Sequence, residues 1–202
     1  MRSRAAASTL LRAGFDKVYS MEGGIMAWKG FIAKGVPEPA MAYFEPATKP
    51  EEMLALAWYL ENGSQRFYAT LATQTKESDV ADAYQELARA EGRHQASLLD
   101  LYRQVSGAPP DESFPGSIIS SEQDDDMIEG GMRVSEALSW AKGKRPAEVF
   151  ELAIALEANS LDLYLVMENR MRDQEAGRVF KVLAGEERAH IERLSALLEK
   201  SA

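Results

Sequence analysis

The sequence predicts an all-α protein whose main body is an antiparallel four-helix bundle with one long crossover. Three observations carry this. Four long stretches, at roughly 49–75, 79–106, 146–172 and 174–200, place apolar residues at steps of three and four, the period of a helix with one face in a core. The first and second stretches, and the third and fourth, are joined by short links, whereas 107–145 separates the pairs; short links make antiparallel neighbours. The two pairs also repeat one another at a fixed offset of 96 residues without gaps.

Residues 1–36 read differently from the rest. An alanine-rich helical stretch, Ser3 to Ala13, leads through Gly14-Phe15 to a short strand pattern ending near Met21. Gly23-Gly24 breaks it, and Ile25-Met26-Ala27-Trp28 begins another helix. Val36-Pro37-Glu38-Pro39 opens a linker over 37–48, and the bundle domain follows over 49–202. Thr48-Lys49-Pro50-Glu51 fits a capping box, with Thr48 as N-cap and Glu51 three residues on. The crossover opens with Gly107-Ala108-Pro109-Pro110, carries Asp124-Asp125-Asp126, and holds a short helix near Val134 to Ala141. The acidic run reads as a solvated loop or helix cap, with iron entry as the functional alternative.

At the offset of 96, Ala57, Leu60, Glu61, Ser64 and Tyr68 match Ala153, Leu156, Glu157, Ser160 and Tyr164. Leu87, Ala88, Glu91, His94, Leu98 and Leu101 match Leu183, Ala184, Glu187, His190, Leu194 and Leu197. His94 and His190 are the only histidines, each closing a Glu-x-x-His tetrad, and Glu61 and Glu157 each stand thirty residues before a tetrad. The second helix runs Tyr84, Leu87, Glu91, His94, Leu98, Leu101 down one face, so Glu91 and His94 occupy positions where leucines belong. The fourth helix repeats this with Glu187 and His190.

Buried carboxylates facing one another cost several kcal/mol each unless compensated. No Lys or Arg occupies the matching core positions. Two divalent cations would cancel the four charges of Glu61, Glu91, Glu157 and Glu187, and i, i+3 spacing puts each Glu and His within reach of one ion. A metal-free polar layer is the plainer alternative. Tyr68 and Tyr164 lie two turns beyond Glu61 and Glu157 on the same face, as core aromatics or as phenols hydrogen-bonded near the metals. Ser64 and Ser160 read as small packing residues.

Composition narrows the function further. The net charge of −9 and pI of 4.9 argue against a nucleic-acid or anionic-membrane surface. No apolar run approaches the ~20 residues that span a bilayer. Met1-Arg2-Ser3-Arg4 is followed by an alanine-rich stretch and not by a secretory pattern, so the expected location is cytoplasmic. Without cysteine there is no disulfide, no thiolate nucleophile and no Cys-x-x-Cys metal knuckle.

Residues 49–200, with Glu61, Glu91-x-x-His94, Glu157 and Glu187-x-x-His190, resemble the rubrerythrin branch of the ferritin-like superfamily. The resemblance implies a ferritin-like bundle with a di-iron centre, often in a homodimer, that reacts with peroxide or dioxygen or oxidises Fe(II). It implies that Glu91 and Glu187 bridge the metals, that Glu61 and Glu157 are terminal ligands, and that His94 and His190 each complete one sphere. Iron is the expected metal, with manganese or a mixed pair as alternatives and zinc as an occupant after purification. Rubrerythrins carry a further carboxylate three residues after the third-helix ligand, where this chain has Ser160. They often carry a rubredoxin domain too; a cysteine-free chain must draw electrons from a separate donor, such as a rubredoxin-like or flavin protein.

Residues 1–36 resemble the C-terminal third of a rhodanese domain through Arg2-Ser3, Ala5-Ala6, Leu10, Gly14-Phe15, Val18-Tyr19, Gly23-Gly24-Ile25 and Ala27-Trp28. The rhodanese cysteine would precede Met1, which leaves this chain without a sulfurtransferase nucleophile; a third of a parallel-sheet domain cannot complete its own sheet, so the segment is expected to be partly disordered, to pack on the bundle or to pair with another copy. Two further functions follow as alternatives to an oxidoreductase: an iron-binding or delivery protein, and a sulfur-trafficking fusion if a longer gene product restores the cysteine.

Overall fold

A computed structural model describes residues 49–118, 127–171 and 175–201. The rhodanese-like segment, the linker, Thr48 and the run Asp124 to Asp126 lie outside the described residues. The described elements are α1 (Pro50–Gln74), α2 (Ser78–Ser106), β1 (Met127–Ile128), β2 (Met132–Arg133), α3 (Val134–Ala141), α4 (Pro146–Arg170) and α5 (Glu175–Ser201). The four long helices fall within two residues of their predicted limits, and α3 coincides with the short helix expected in the crossover. α1 packs along α2, and α4 along α5, as the short links require.

The helix starts are built by a repeated device. Pro50 occupies the first turn of α1, where its missing N–H leaves no hydrogen bond unmade. The Glu52 carboxylate reaches back to accept the Lys49 N–H at 3.2 Å. At α4 the same parts recur: Arg145 precedes Pro146, and Glu148 accepts the Arg145 N–H at 3.2 Å. The N-cap of α1 is therefore Lys49, with Glu52 as its partner, one residue later than the Thr48 and Glu51 expected from the sequence. The proline decides the frame, because the first helical position is where proline is tolerated. α2 ends at Gly107, whose left-handed φ of 70° lets its N–H return to the Arg103 carbonyl.

Leu54, Ala57 and Leu60 of α1, Leu98 and Leu101 of α2, Tyr164 and Met167 of α4, and Phe180 and Leu183 of α5 belong to one hydrophobic cluster. The start of the crossover is pinned to it through Phe114, whose ring meets Trp58 edge-on at 5.4 Å and Tyr102 at 4.9 Å. Phe180 is fully buried and stacks on Tyr164 at 6.1 Å. Replacing Phe180 with alanine removes that ring from a core that closes only partly around the gap. The expected loss is about 3–5 kcal/mol of unfolding free energy, read from the midpoint of a denaturant titration.

The crossover also holds an element that the sequence reading did not anticipate. β1 and β2 pair antiparallel, Met127 opposite Arg133 and Ile128 opposite Met132. Glu129, Gly130 and Gly131 make the turn, with both glycines at positive φ (88° and 76°). β1 lies against α1, and the approach is close because residue 63 is glycine. A Cβ there would fall on the Met127 carbonyl, 2.7 Å from its carbon.

Candidate metal centre

The helix stripes bring the six sequence-predicted residues to one place. Glu61, Glu91, His94 and Glu187 each offer a ligand atom, all within 4.8 Å of one another. Glu91, Glu157 and His190 form a second such group. Glu91 belongs to both. Glu187 lies between the two histidines: one oxygen is 3.1 Å from His94 Nδ1 and the other 3.2 Å from His190 Nδ1. His94 Nδ1 is also 3.3 Å from Glu61 and 3.2 Å from Glu91, and His190 Nδ1 is 3.0 Å from Glu157. The two imidazole rings stack at 5.7 Å.

The surrounding hydrogen bonds orient these groups. His94 turns its other nitrogen outward, where Nε2–H donates to Glu186 at 3.0 Å. That bond leaves Nδ1 to face the carboxylates. Sequence reasoning missed Glu186, which is next to Glu187 but off the core stripe and half-exposed. Tyr68 and Tyr164 cross the bundle: the Tyr68 hydroxyl donates to Glu157, and the Tyr164 hydroxyl to Glu61. Each phenol therefore serves the glutamate of the opposite half of the repeat. The two serines diverge. Ser160 Oγ reaches only its own helix, at the Leu156 carbonyl (3.5 Å), whereas Ser64 Oγ donates to Glu129 of the hairpin turn. Glu129 is 3% exposed and was also missed; Gly130-Gly131 after two apolar residues was its only local trace.

Burial and mutual repulsion set the electrostatics. Burial raises the carboxyl pKa of Glu91, and the charges of Glu61 and Glu157 add to it. Burial and then the Glu61 charge do the same to Glu129. Glu157 is pushed up to about 8 by burial and by Glu187. For Glu187, burial is outweighed by hydrogen bonds from His190 and His94, which hold it at about 2. Burial opposes a charge on His190, but Glu157 and Glu187 outweigh it and raise that imidazole to about 10. His94 is raised in the same way, burial being overcome by Glu61, Glu187 and Glu91. Burial, reinforced by Glu157 at Tyr68 and by Glu61 at Tyr164, keeps both phenols as neutral donors.

The donor set fits a pair of divalent cations. Glu61 Oε2 and Glu187 Oε1 lie 3.3 and 3.1 Å from His94 Nδ1, and all three atoms are buried and belong to the first group. One proton on His94 Nδ1 cannot satisfy both carboxylate oxygens, and an unsatisfied buried polar atom costs ~1–3 kcal/mol, so a cation at their meeting point would serve all three. Carboxylate oxygen with imidazole nitrogen suits iron or manganese better than a thiophilic metal. A pocket of about 300 Å³ between α2 and α5, lined by Arg89, Arg93 and Arg193, opens onto His190, which is 14% exposed.

Fold and site together define a ferritin-like helical bundle with a carboxylate and histidine cluster in its core. Residues 52–198 match the rubrerythrin family, and the chain belongs to it. No curated protein matches the chain. Among solved structures, a hypothetical protein from Pyrococcus furiosus is 24% identical, covering 74% of this chain and 87% of that one, with a TM-score of 0.55. A dodecameric thioferritin from Bacteroides fragilis, described as bacterioferritin-related, is 16% identical over 74% of this chain and 84% of that one, with a TM-score of 0.54. These two likenesses bear on fold alone. The family match begins at residue 52 and does not bear on the rhodanese-like reading of residues 1–36. Among the described residues, no helix is long and apolar enough to cross a membrane.

Proposed function

We propose that this protein is a non-haem di-iron oxidoreductase that reduces peroxide or dioxygen, or oxidises Fe(II), at the Glu61, Glu91, His94, Glu157, Glu187, His190 centre. The observation that carries this reading is the Glu187 carboxylate, which presents one oxygen to His94 Nδ1 and the other to His190 Nδ1. A carboxylate so placed would hold two ions at once. Glu91, shared by both groups, would be the second carboxylate common to the two ions. Glu61 and His94 would hold one ion, and Glu157 and His190 the other.

When bound, two ferrous ions supply one electron each, which matches the two-electron reduction of hydrogen peroxide to two waters with two protons taken up. The protein's own groups do the rest. Tyr68 and Tyr164 hold one oxygen of Glu157 and Glu61 respectively, which would leave the other free for a metal. Glu186 fixes the tautomer of His94. The pocket at His190 is the approach for a small oxidant, and the buried helix faces exclude bulk water elsewhere. Electrons would return from a donor outside these residues, such as a rubredoxin-like or flavin protein, since they include no cysteine to hold a rubredoxin-type iron. Manganese is the alternative metal.

Protein loaded anaerobically with Fe(II) is expected to oxidise two ferrous ions per hydrogen peroxide added, followed by absorbance and by peroxide consumption. Oxidation no faster than that of Fe(II) in buffer sinks the reading. Iron storage or delivery is the second reading, favoured by the shared fold of the dodecameric thioferritin. Light scattering separates the two assemblies: a dimer-sized particle fits the oxidoreductase, and a shell of many subunits that retains mineral iron fits storage.

A further inference from the structure

One buried carboxylate beside the centre belongs neither to the helical repeat nor to the six-residue set. Glu129 sits in the turn of the β1–β2 hairpin, 3% exposed, and stands outside both groups of clustered ligand atoms. Among the described residues no Lys or Arg pairs with it; its side-chain partner is the Ser64 hydroxyl. The charges that act on it are those of Glu61 and then Glu157. Keeping a carboxylate charged among other carboxylates is costly unless a cation shares the space.

The chain is adapted to put it there. Gly63 has no side chain where β1 crosses α1, and any Cβ would strike the Met127 carbonyl. Gly130 and Gly131 take the positive φ that turns the hairpin over. Ser64, one residue from Gly63 and one helical turn from Glu61, supplies the hydroxyl. The other half of the molecule lacks this arrangement. The repeat counterpart of Gly63 is Asn159, which is buried, and Ser160 bonds only to its own helix. The departure from the twofold repeat is therefore localised to one side of the centre.

We propose that Glu129 is a fifth carboxylate of the metal centre, lent by the crossover hairpin to the half that holds Glu61 and His94. The inference rests on the dinuclear reading above and deepens it. The ion held by Glu61 and His94 gains a hard oxygen donor that the ion held by Glu157 and His190 lacks, so the two ions are inequivalent although the helices repeat.

Cobalt(II) titration of the metal-free protein tests this, with calorimetry for affinity and visible absorption for ligand number. Wild type is expected to show two distinguishable binding events. In Glu129→Gln one event weakens by about tenfold or more, the other is little changed, and the cobalt spectrum shifts. The melting temperature of the metal-free variant stays the same or rises, because a buried acid has been replaced by an amide of the same shape. Gly63→Ala, which displaces the hairpin without touching a carboxylate, is expected to weaken the same event. Identical affinities and spectra in wild type and Glu129→Gln overturn the proposal. So does a parallel loss of metal affinity and metal-free stability, which marks Glu129 as a structural strut. Wild type that binds no cobalt overturns the dinuclear reading along with it, whereas two cobalt ions bound equally by wild type and variant overturn only the role of Glu129.

Discussion

Glu91→Ala/Glu187→Ala protein is expected to purify free of metal, where the parent carries about two iron or manganese ions per chain. These two carboxylates are the ones that two ions would share. Glu91 belongs to both groups of ligand atoms, and Glu187 spans the two histidines. Without them one half retains Glu157 and His190 and the other Glu61 and His94 with Glu129 beside them, and no carboxylate is left to span two ions and hold the pair against water. The fold should survive. Alanine is the better helix former, and two carboxylates that crowd Glu61 and Glu157 are gone. Far-UV circular dichroism of the variant should therefore match the parent while elemental analysis reads near zero. Metal retained in the double variant refutes the bridging roles. A parent that stays empty even after anaerobic Fe(II) loading removes the metal centre, and the oxidoreductase reading with it.

The stabilisation conferred by metal should widen as pH rises from about 6 to about 9. In the metal-free protein, burial and the Glu187 charge raise Glu157 from 4.5 to about 8. Burial opposes charge on His190, but Glu157 and Glu187 outweigh it and raise it from 6.5 to about 10. Both groups hold a proton in the folded state after the unfolded chain has lost it. Their stabilisation is complete below 4.5 for Glu157 and below 6.5 for His190, and it is lost as pH climbs to their folded values. Glu187 has the opposite sign. Burial is outweighed by the histidine hydrogen bonds that hold it at about 2, so its stabilisation is present above 4.5 and disappears as pH falls. Metal-free protein is thus most stable in mild acid and weakens above it. A metal held by Glu157 and His190 would take the place of their protons, so binding is expected to release both near neutrality and to tighten as protons become scarce. Thermal melts of metal-free and loaded protein across this range give the gap directly, and calorimetry in two buffers of different ionisation enthalpy counts the protons. A gap that is constant or narrows with pH means that these two groups do not bind metal.

What could be read in advance, and what could not, follows the distance over which each feature is decided. The stripe Tyr84, Leu87, Glu91, His94, Leu98 places two polar groups in a row of core residues, and the helical period alone puts them on the inner face. The repeat doubles that information, since any inward face of one hairpin is an inward face of the other. Even the helix starts repeat, Lys49-Pro50 with Glu52 and Arg145-Pro146 with Glu148. Thr48 and Glu51 offered the same motif one residue earlier, and only the position of the proline separates the two frames.

The sequence by itself determined the four helices, their pairing, and the six Glu and His side chains that face inward, because helical periodicity and short links are local properties. Tertiary structure alone decided which atoms meet. Tyr68 finds Glu157 and Tyr164 finds Glu61 because the two hairpins cross, a relation absent from either stripe. Glu186, off the stripe of α5, reaches His94 only because α2 and α5 lie side by side. Glu129 reaches Ser64 across 65 residues of chain, through a hairpin with two-residue strands that no periodicity marks. Its position depends on how the long crossover closes over Gly63, and closure of a long loop is set by the surface it lands on, not by the residues within it.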